Sequence, residues 1–158
     1  MLNPKIELEQ HLTEQIYAAL HGELVEKIIS LSSFDQSGHG LKSAMEGHSF
    51  KVEKRLMSHL HDLLYGVKEK LGFADPAREG EPHIVNINSA LINLMTDDEL
   101  RFVVGHELGH LMNKNTEMLR LIGFVFPRGS MPPLVLQYKI RLWEQLSELT
   151  ADRYGYMA

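Results

Sequence analysis

The sequence predicts an α+β fold, predominantly helical, with a small sheet or edge strand beside a metal-binding helix and a glutamate-bearing helix after it. Three observations carry this expectation. Apolar residues recur at helical spacing over most of the chain. One short stretch, His83-Ile84-Val85-Asn86-Ile87-Asn88, alternates apolar and polar instead. Two polar motifs, His106-Glu107-Leu108-Gly109-His110 and Glu148-Leu149-Thr150-Ala151-Asp152, sit inside helical frames.

Taken in order, Ile6 to Leu31 suits one long helix, because Leu12, Ile16, Leu20, Leu24 and Ile28 form a stripe thickened by Tyr17, Val25 and Ile29. Ser, Asp and Gly between Ser32 and Gly40 break it, and a short helical piece follows at Leu41 to Glu46. A second long helix fits Ser49 to Leu71, with Leu56, Leu60, Leu63, Leu64, Val67 and Leu71 on its apolar side and Gly72 as its stop. Phe73 to Pro82, with two prolines and a glycine, reads as loop. In the strand that follows, Val85 and Ile87 point one way and Asn86 and Asn88 the other, the pattern of an edge strand with one polar face.

Thr96-Asp97-Asp98-Glu99 is a helix start. Thr96 can accept from the Glu99 amide and the Glu99 side chain can return the bond, while three acidic residues suit the positive end of the helix dipole. That helix should reach about Asn113, with another piece over Glu117 to Phe126. Pro127 to Pro133 reads as loop, and a last helix runs from Leu134 to the end. The chain stops without a polar tail, which predicts a truncated C-terminus.

Composition narrows the function. At 158 residues the chain can build a real core, and its net charge of −5 has no basic stripe for a nucleic acid. Cysteine is absent, so a metal here must be held by histidine and carboxylate. No signal peptide is visible, and the longest apolar stretches, Leu119–Phe126 and Met131–Leu136, fall short of the about 20 residues that cross a bilayer. These features read as a soluble, cytoplasmic protein.

The HExxH stretch places His106 and His110 about 40° apart on one helix face, where two imidazoles can share one ion. Such a pentapeptide arises by chance in about one chain in a few hundred of this length, so it needs support. Support comes from the apolar frame of Leu100, Val103, Val104, Leu108, Leu111 and Met112, which desolvates polar groups that must then have a purpose. Gly105 and Gly109 cost about 1 kcal/mol each in a helix interior, and their smallness lets another backbone come close, such as the Ile84–Asn88 strand; Ala151 and Gly155, flanking Glu148, would let the last helix pack closely on this one. Glu148 and Asp152 are again about 40° apart, sharing a side with Gln137, Arg141, Glu144 and Gln145, opposite Leu142, Trp143, Leu146 and Leu149. Alone they would be an ordinary solvated acidic face. With the histidines they complete a zinc site of two imidazoles, one carboxylate and an open position, the catalytic pattern. Glu144 is the rival third ligand; Glu148 is preferred because Asp152 follows in register to accept the other ring N–H of His106.

The stretch from Asp98 to His110, with Glu148-Leu149-Thr150-Ala151-Asp152-Arg153, resembles the HtpX and CAAX-prenyl-protease family of gluzincin metallopeptidases, which share an ELxxVxxHExxH helix and a later ExxAD helix. The resemblance runs from about Arg55 to the end. It implies a zincin-like core over residues 55–158 and a zinc-dependent endopeptidase, with one zinc ion per chain bound by His106, His110 and Glu148. Glu107 would be the general base and Asp152 the residue behind a zinc ligand. A peptide or protein substrate would add as a strand along Val85, Asn86, Ile87 and Asn88. Residues 1–54 match no motif of the family and read as a helical scaffold or covering segment. The chain departs from the family in three places: it has no membrane span, it lacks the family's NAF signature before the strand, and it ends where relatives carry an oxyanion-stabilising residue, leaving Arg153, Tyr154 and Tyr156 as candidates. Two other readings use the same residues. ImmA/IrrE-type regulatory metalloproteases also carry HExxH and a later glutamate, but follow it with Ala-Asn where this chain has Ala151-Asp152. A non-catalytic zinc-binding helical module is the other.

Overall fold

A computed structural model describes residues 4–31, 52, 55, 57–73 and 85–158. Seven helices lie among the described residues: α1 (Glu7–Ala19), α2 (Gly22–Leu31), α3 (Ser58–Leu71), α4 (Ser89–Leu94), α5 (Asp97–Met112), α6 (Asn115–Val125) and α7 (Leu134–Met157). No strand occurs among the described residues, so the chain is predominantly helical as the periodicity predicts. The helical piece expected at Leu41 to Glu46 lies outside the described residues; the helix expected from Ser49 begins only at Ser58, since the described residues 52, 55 and 57 before it are not helical. The chain divides into two compact units, one of Met1–Phe50 with Asn113–Glu148, the other of Lys51–Met112 with Leu149–Ala158.

The first unit gathers Leu12, Ile16 and Leu20 of α1, Val25 and Ile29 of α2, Met118 and Leu121 of α6, and Ile140 and Trp143 of α7 into one cluster. The single helix expected over Ile6 to Leu31 is two helices. The break falls at His21, which takes φ 51°, a left-handed conformation that few non-glycine residues adopt. An unbroken helix of that length would run about 39 Å and bury only one stripe. Folding back lets α1 and α2 feed the same cluster. The turn also changes which residues are buried: Val25 and Ile29 face the core, while Leu24 and Ile28, expected on the stripe, are exposed. Tyr17 ties the two helices together, its ring over Gly22 and its hydroxyl donating to Glu26 at 3.0 Å. Burial and the Glu26 bond raise the Tyr17 pKa. A buried polar relay runs through the core: the Trp143 indole N–H donates to Thr13 Oγ1 at 3.0 Å, and Thr13 donates to the Glu9 carbonyl at 2.8 Å. It satisfies the one tryptophan's donor where water is excluded.

The second unit packs Leu63, Val67 and Leu71 of α3 against Leu100, Val104 and Leu108 of α5, with Tyr154 of α7. Gly72 ends α3 in the left-handed region (φ 65°), and the Phe73 amide reaches back to the Lys68 carbonyl at 2.9 Å, a Schellman-type close. Val85–Asn88 keeps the alternation of the expected strand, with Val85 and Ile87 half-buried on this cluster and Asn86 and Asn88 exposed. It is not a strand. No partner strand stands beside it among the described residues, and Asn88 instead caps α4, its Oδ1 accepting from the Ala90 amide at 2.9 Å. The cap explains why the extended run stops there. His83 and Ile84 lie outside the described residues.

Candidate metal centre

The two histidines of the candidate centre lie on α5, and its start follows the capping-box logic. The Thr96 amide donates to Glu99 Oε2 at 2.7 Å, the Thr96 hydroxyl donates to the same oxygen at 2.8 Å, and the Glu99 amide returns to Thr96 Oγ1 at 3.4 Å. The bond from the Thr96 backbone amide, with that from its side chain, holds the Glu99 carboxyl below the usual carboxylate range. Leu100, Val104, Gly105, Leu108 and Gly109 form the buried face. His106 and His110 lie half-buried at its border and Glu107 is exposed.

The backbone that approaches Gly105 and Gly109 is that of α7, not the Val85–Asn88 segment. A Cβ at Gly109 would stand 3.1 Å from Ala151 Cα and 2.9 Å from Tyr154 Cβ, and one at Gly105 would stand 2.9 Å from the Tyr154 carbonyl oxygen. Reciprocally, a Cβ at Gly155 would meet the Phe102 carbonyl at 2.9 Å. Small residues on both helices let α5 and the end of α7 lie almost backbone to backbone. A long-range requirement therefore accounts for glycine inside a helix.

The buried line of α7 also differs from the expected one. Ile140, Trp143, Ser147, Thr150, Ala151 and Tyr154 are buried, whereas Leu142 and Leu149, expected inward, are exposed. Of this line, Ile140 and Trp143 join the first unit's cluster, while Ala151 and Tyr154 meet the glycines of α5, a contact set by small residues and not by apolarity alone.

The close approach brings Asp152 to His106, with Oδ1 3.0 Å from Nδ1. An acceptor there places the proton on Nδ1 and leaves the Nε2 lone pair for another partner. His106 Nε2 and His110 Nε2 face each other at 3.2 Å, with the rings at 84°. Two nitrogens 2.0–2.1 Å from one tetrahedral ion would be about 3.3 Å apart, so the spacing fits a shared divalent cation. Glu148 lies one turn before Asp152 on the same unbroken helix. Ligand atoms of His106, His110 and Glu148 all fall within 4.8 Å of one another. Glu144, the rival ligand, is not in this group; it lines a cavity with Ile122, Phe126 and Ile140.

Sequence reasoning assigned Phe102 no part here. It precedes His106 by one turn on the same face, its ring 6.5 Å from the imidazole, and Tyr156 meets it edge-on at 5.2 Å. The i, i+4 spacing of Phe102 and His106 was the available signal. Of the candidates beyond the glutamate, Tyr154 is buried against Gly109, Arg153 is exposed, and Tyr156 alone shares the stripe of Glu148 and Asp152. Val85–Asn88 contributes nothing to the His-His-Glu group.

Residues 77–126, which hold all of α5, match Peptidase family M48. The plastoglobule-localized metallopeptidase 48 of Arabidopsis thaliana (chloroplastic) is 29% identical over 157 residues, covering 85% of this chain and 42% of that protein. By these matches the chain is similar to HtpX-like metallopeptidases of family M48. Protease HtpX homolog 2 of Sulfurisphaera tokodaii is 41% identical over 39 residues, 25% of this chain and 12% of that one. A protease HtpX homolog of Thermoplasma acidophilum is 37% identical over 41 residues, 26% and 13% of the two chains. The chain thus spans less than half the length of the relatives it matches. No solved structure matches it. The resemblance carried by the paired motifs is borne out. No described helix is long and apolar enough to cross a membrane.

Proposed function

We propose that this chain is a zinc-dependent endopeptidase of the zincin type, hydrolysing peptide bonds in peptide or protein substrates. The observation that carries the reading is the meeting of His106, His110 and Glu148, with Asp152 on the far nitrogen of His106. Two imidazoles and one carboxylate, with a fourth position open, are the ligand set of catalytic rather than structural zinc. Zinc held there supplies Lewis-acid polarisation and brings the pKa of a water toward about 7.

The chain's own residues do the rest. Glu107, exposed beside the first ligand, takes the proton of the attacking water and returns it to the leaving amine. Asp152 holds the tautomer and ring plane of His106. The extended Val85–Asn88 segment, with Asn86 and Asn88 exposed, is the surface along which a substrate backbone would pair, completing the small sheet of the zincin fold. A cytoplasmic location is part of the same proposal.

The test is metal analysis of the purified chain followed by a quenched-peptide assay with Glu107→Gln as comparison. We expect one zinc per chain in both, with hydrolysis lost only in the variant. Retained hydrolysis in Glu107→Gln removes the general-base role. Tight zinc without turnover in the wild type favours the binding-module reading.

A further inference from the structure

We propose that the α6–α7 hairpin is an interfacial docking surface, which lays the start of α7 and the loop before it on a lipid surface bearing anionic headgroups. The inference is independent of the peptidase reading and concerns the first unit alone. Residues 118–143 hold four basic residues, Arg120, Arg128, Lys139 and Arg141, and no acidic one. The chain as a whole has 21 acids against 16 bases. A local reversal of sign of this kind favours a partner with negative charge.

Over this stretch α7 is apolar on two sides. Leu136, Ile140 and Trp143 face the first unit's cluster. At about 100° per residue, Leu134, Tyr138, Leu142 and Val135 fill a separate arc about 100° wide. Met131, Leu134, Val135 and Tyr138 are each between 65% and 83% exposed. Arg141 stands about 20° outside one edge of the arc and Lys139 about 40° outside the other, while Glu144, the first acid after the run, lies about 130° from its middle. The loop that carries Met131 has a fixed geometry. The Ser130 amide donates to the Pro127 carbonyl at 3.0 Å with Gly129 at φ 92°, and the Gln137 side chain donates to the Pro132 carbonyl at 2.6 Å. Met131, Leu134, Tyr138 and Arg141 border one cavity, so loop and helix present a single surface. Charge and apolarity together choose the occupant. A nucleic acid would leave the apolar arc in water, and a second copy would bring two basic patches together. A bilayer with anionic headgroups meets both demands: the arc enters the acyl boundary, Tyr138 sits at headgroup level, and Arg141 and Lys139 reach back to the phosphates.

The experiment uses the whole chain carrying Met131→Cys, a single thiol in an otherwise cysteine-free sequence, labelled with an environment-sensitive dye. Vesicles of phosphatidylcholine alone are compared with vesicles of phosphatidylcholine and phosphatidylserine, by flotation and by dye emission. The mixed vesicles should float the protein and shift the dye to the blue, both effects weakening as salt is added. Leu134→Ser with Tyr138→Ser should weaken binding roughly tenfold or more. Arg128→Gln with Arg141→Gln should weaken it by about fivefold for each charge. Leu24→Ser, at an exposed apolar residue of α2, should leave binding as it was. Unchanged emission from the buried Trp143 shows that the variants keep the first unit folded. No flotation with the mixed vesicles, equal flotation with both kinds, or binding indifferent to both pairs of substitutions overturns the proposal. A blue shift without vesicles that grows with protein concentration also overturns it, because a second copy then covers the face.

Discussion

Asp152 does its work at one atom. By accepting from His106 Nδ1 it selects which ring nitrogen faces His110, and without it the two rings lose a fixed tautomer. Asp152→Asn can still accept through its amide oxygen but carries no charge, so zinc affinity should fall by about 10- to 100-fold, as for other partners behind metal-ligating histidines. Competition with a chromogenic chelator reads this directly. His110→Ala removes a proposed ligand and should abolish both zinc retention and hydrolysis. These residue pairs were legible in the sequence because i, i+4 spacing puts them on one helix face. The choice between Glu144 and Glu148 was less secure, since both lie on the same stripe one turn apart. Only the position of the histidines decides between them.

At the scale of elements, α5 holds its candidate ligands because its N-terminal end and its flank are constrained. Its cap is local and was readable from four residues, Thr96 to Glu99. Thr96→Ala should cost about 1 kcal/mol of stability in urea unfolding. The lowered Glu99 pKa has a pH signature. Its ionised form is favoured in the fold, so this contribution is complete above the unfolded carboxylate pKa, about 4.3, and fades as pH falls through the lower folded value. Unfolding midpoints between pH 3 and pH 6 should show a shallower acid loss in Glu99→Gln than in the wild-type chain. The flank is non-local. Alanine at Gly109 would gain about 1 kcal/mol of helix propensity but would press on Ala151 and Tyr154 of α7. The contacts are with Ala151 Cα and with Tyr154 Cβ, which moves only with its backbone, so we expect Gly109→Ala to be destabilising overall by about 1–3 kcal/mol. A Gly→Ala change at the exposed, uncrowded Gly123 should instead stabilise. The same non-locality explains why the sequence offered two neighbours, the Ile84–Asn88 stretch beside Gly105 and Gly109 and the last helix through Ala151 and Gly155, of which only the second meets the glycines. Small residues announce that a backbone comes close, not which one.

For the whole molecule, the candidate ligands come from two helices far apart in sequence, α5 and α7, so an ion that bridges them should bind the folded chain and not the unfolded one. Zinc at 100 times its dissociation constant should add about 2.7 kcal/mol of stability. A rise in the thermal midpoint on zinc addition, absent in His110→Ala, is the expected result; an equal rise in both would mean that zinc binds elsewhere. Trp143, almost fully buried and the one tryptophan of the chain, offers emission that reports the first unit.

Read alone, the sequence determined the helical class, the capped start of α5, the stop at Gly72, the paired motifs and, through them, the kinship with HtpX-like peptidases. Each rests on interactions within a turn or two of chain, or on residue identity, and neither needs the rest of the molecule. Tertiary structure alone decided where the N-terminal helix breaks, since only a shared core rewards the turn at His21 over a straight rod. It decided that Val85–Asn88 stays extended without becoming a strand, because a strand needs hydrogen-bonding partners that alternation cannot supply. It also chose between the two backbones that the small residues allowed, pressing α7 and not the Val85–Asn88 segment on Gly105 and Gly109, the contact that sets Asp152 beside His106.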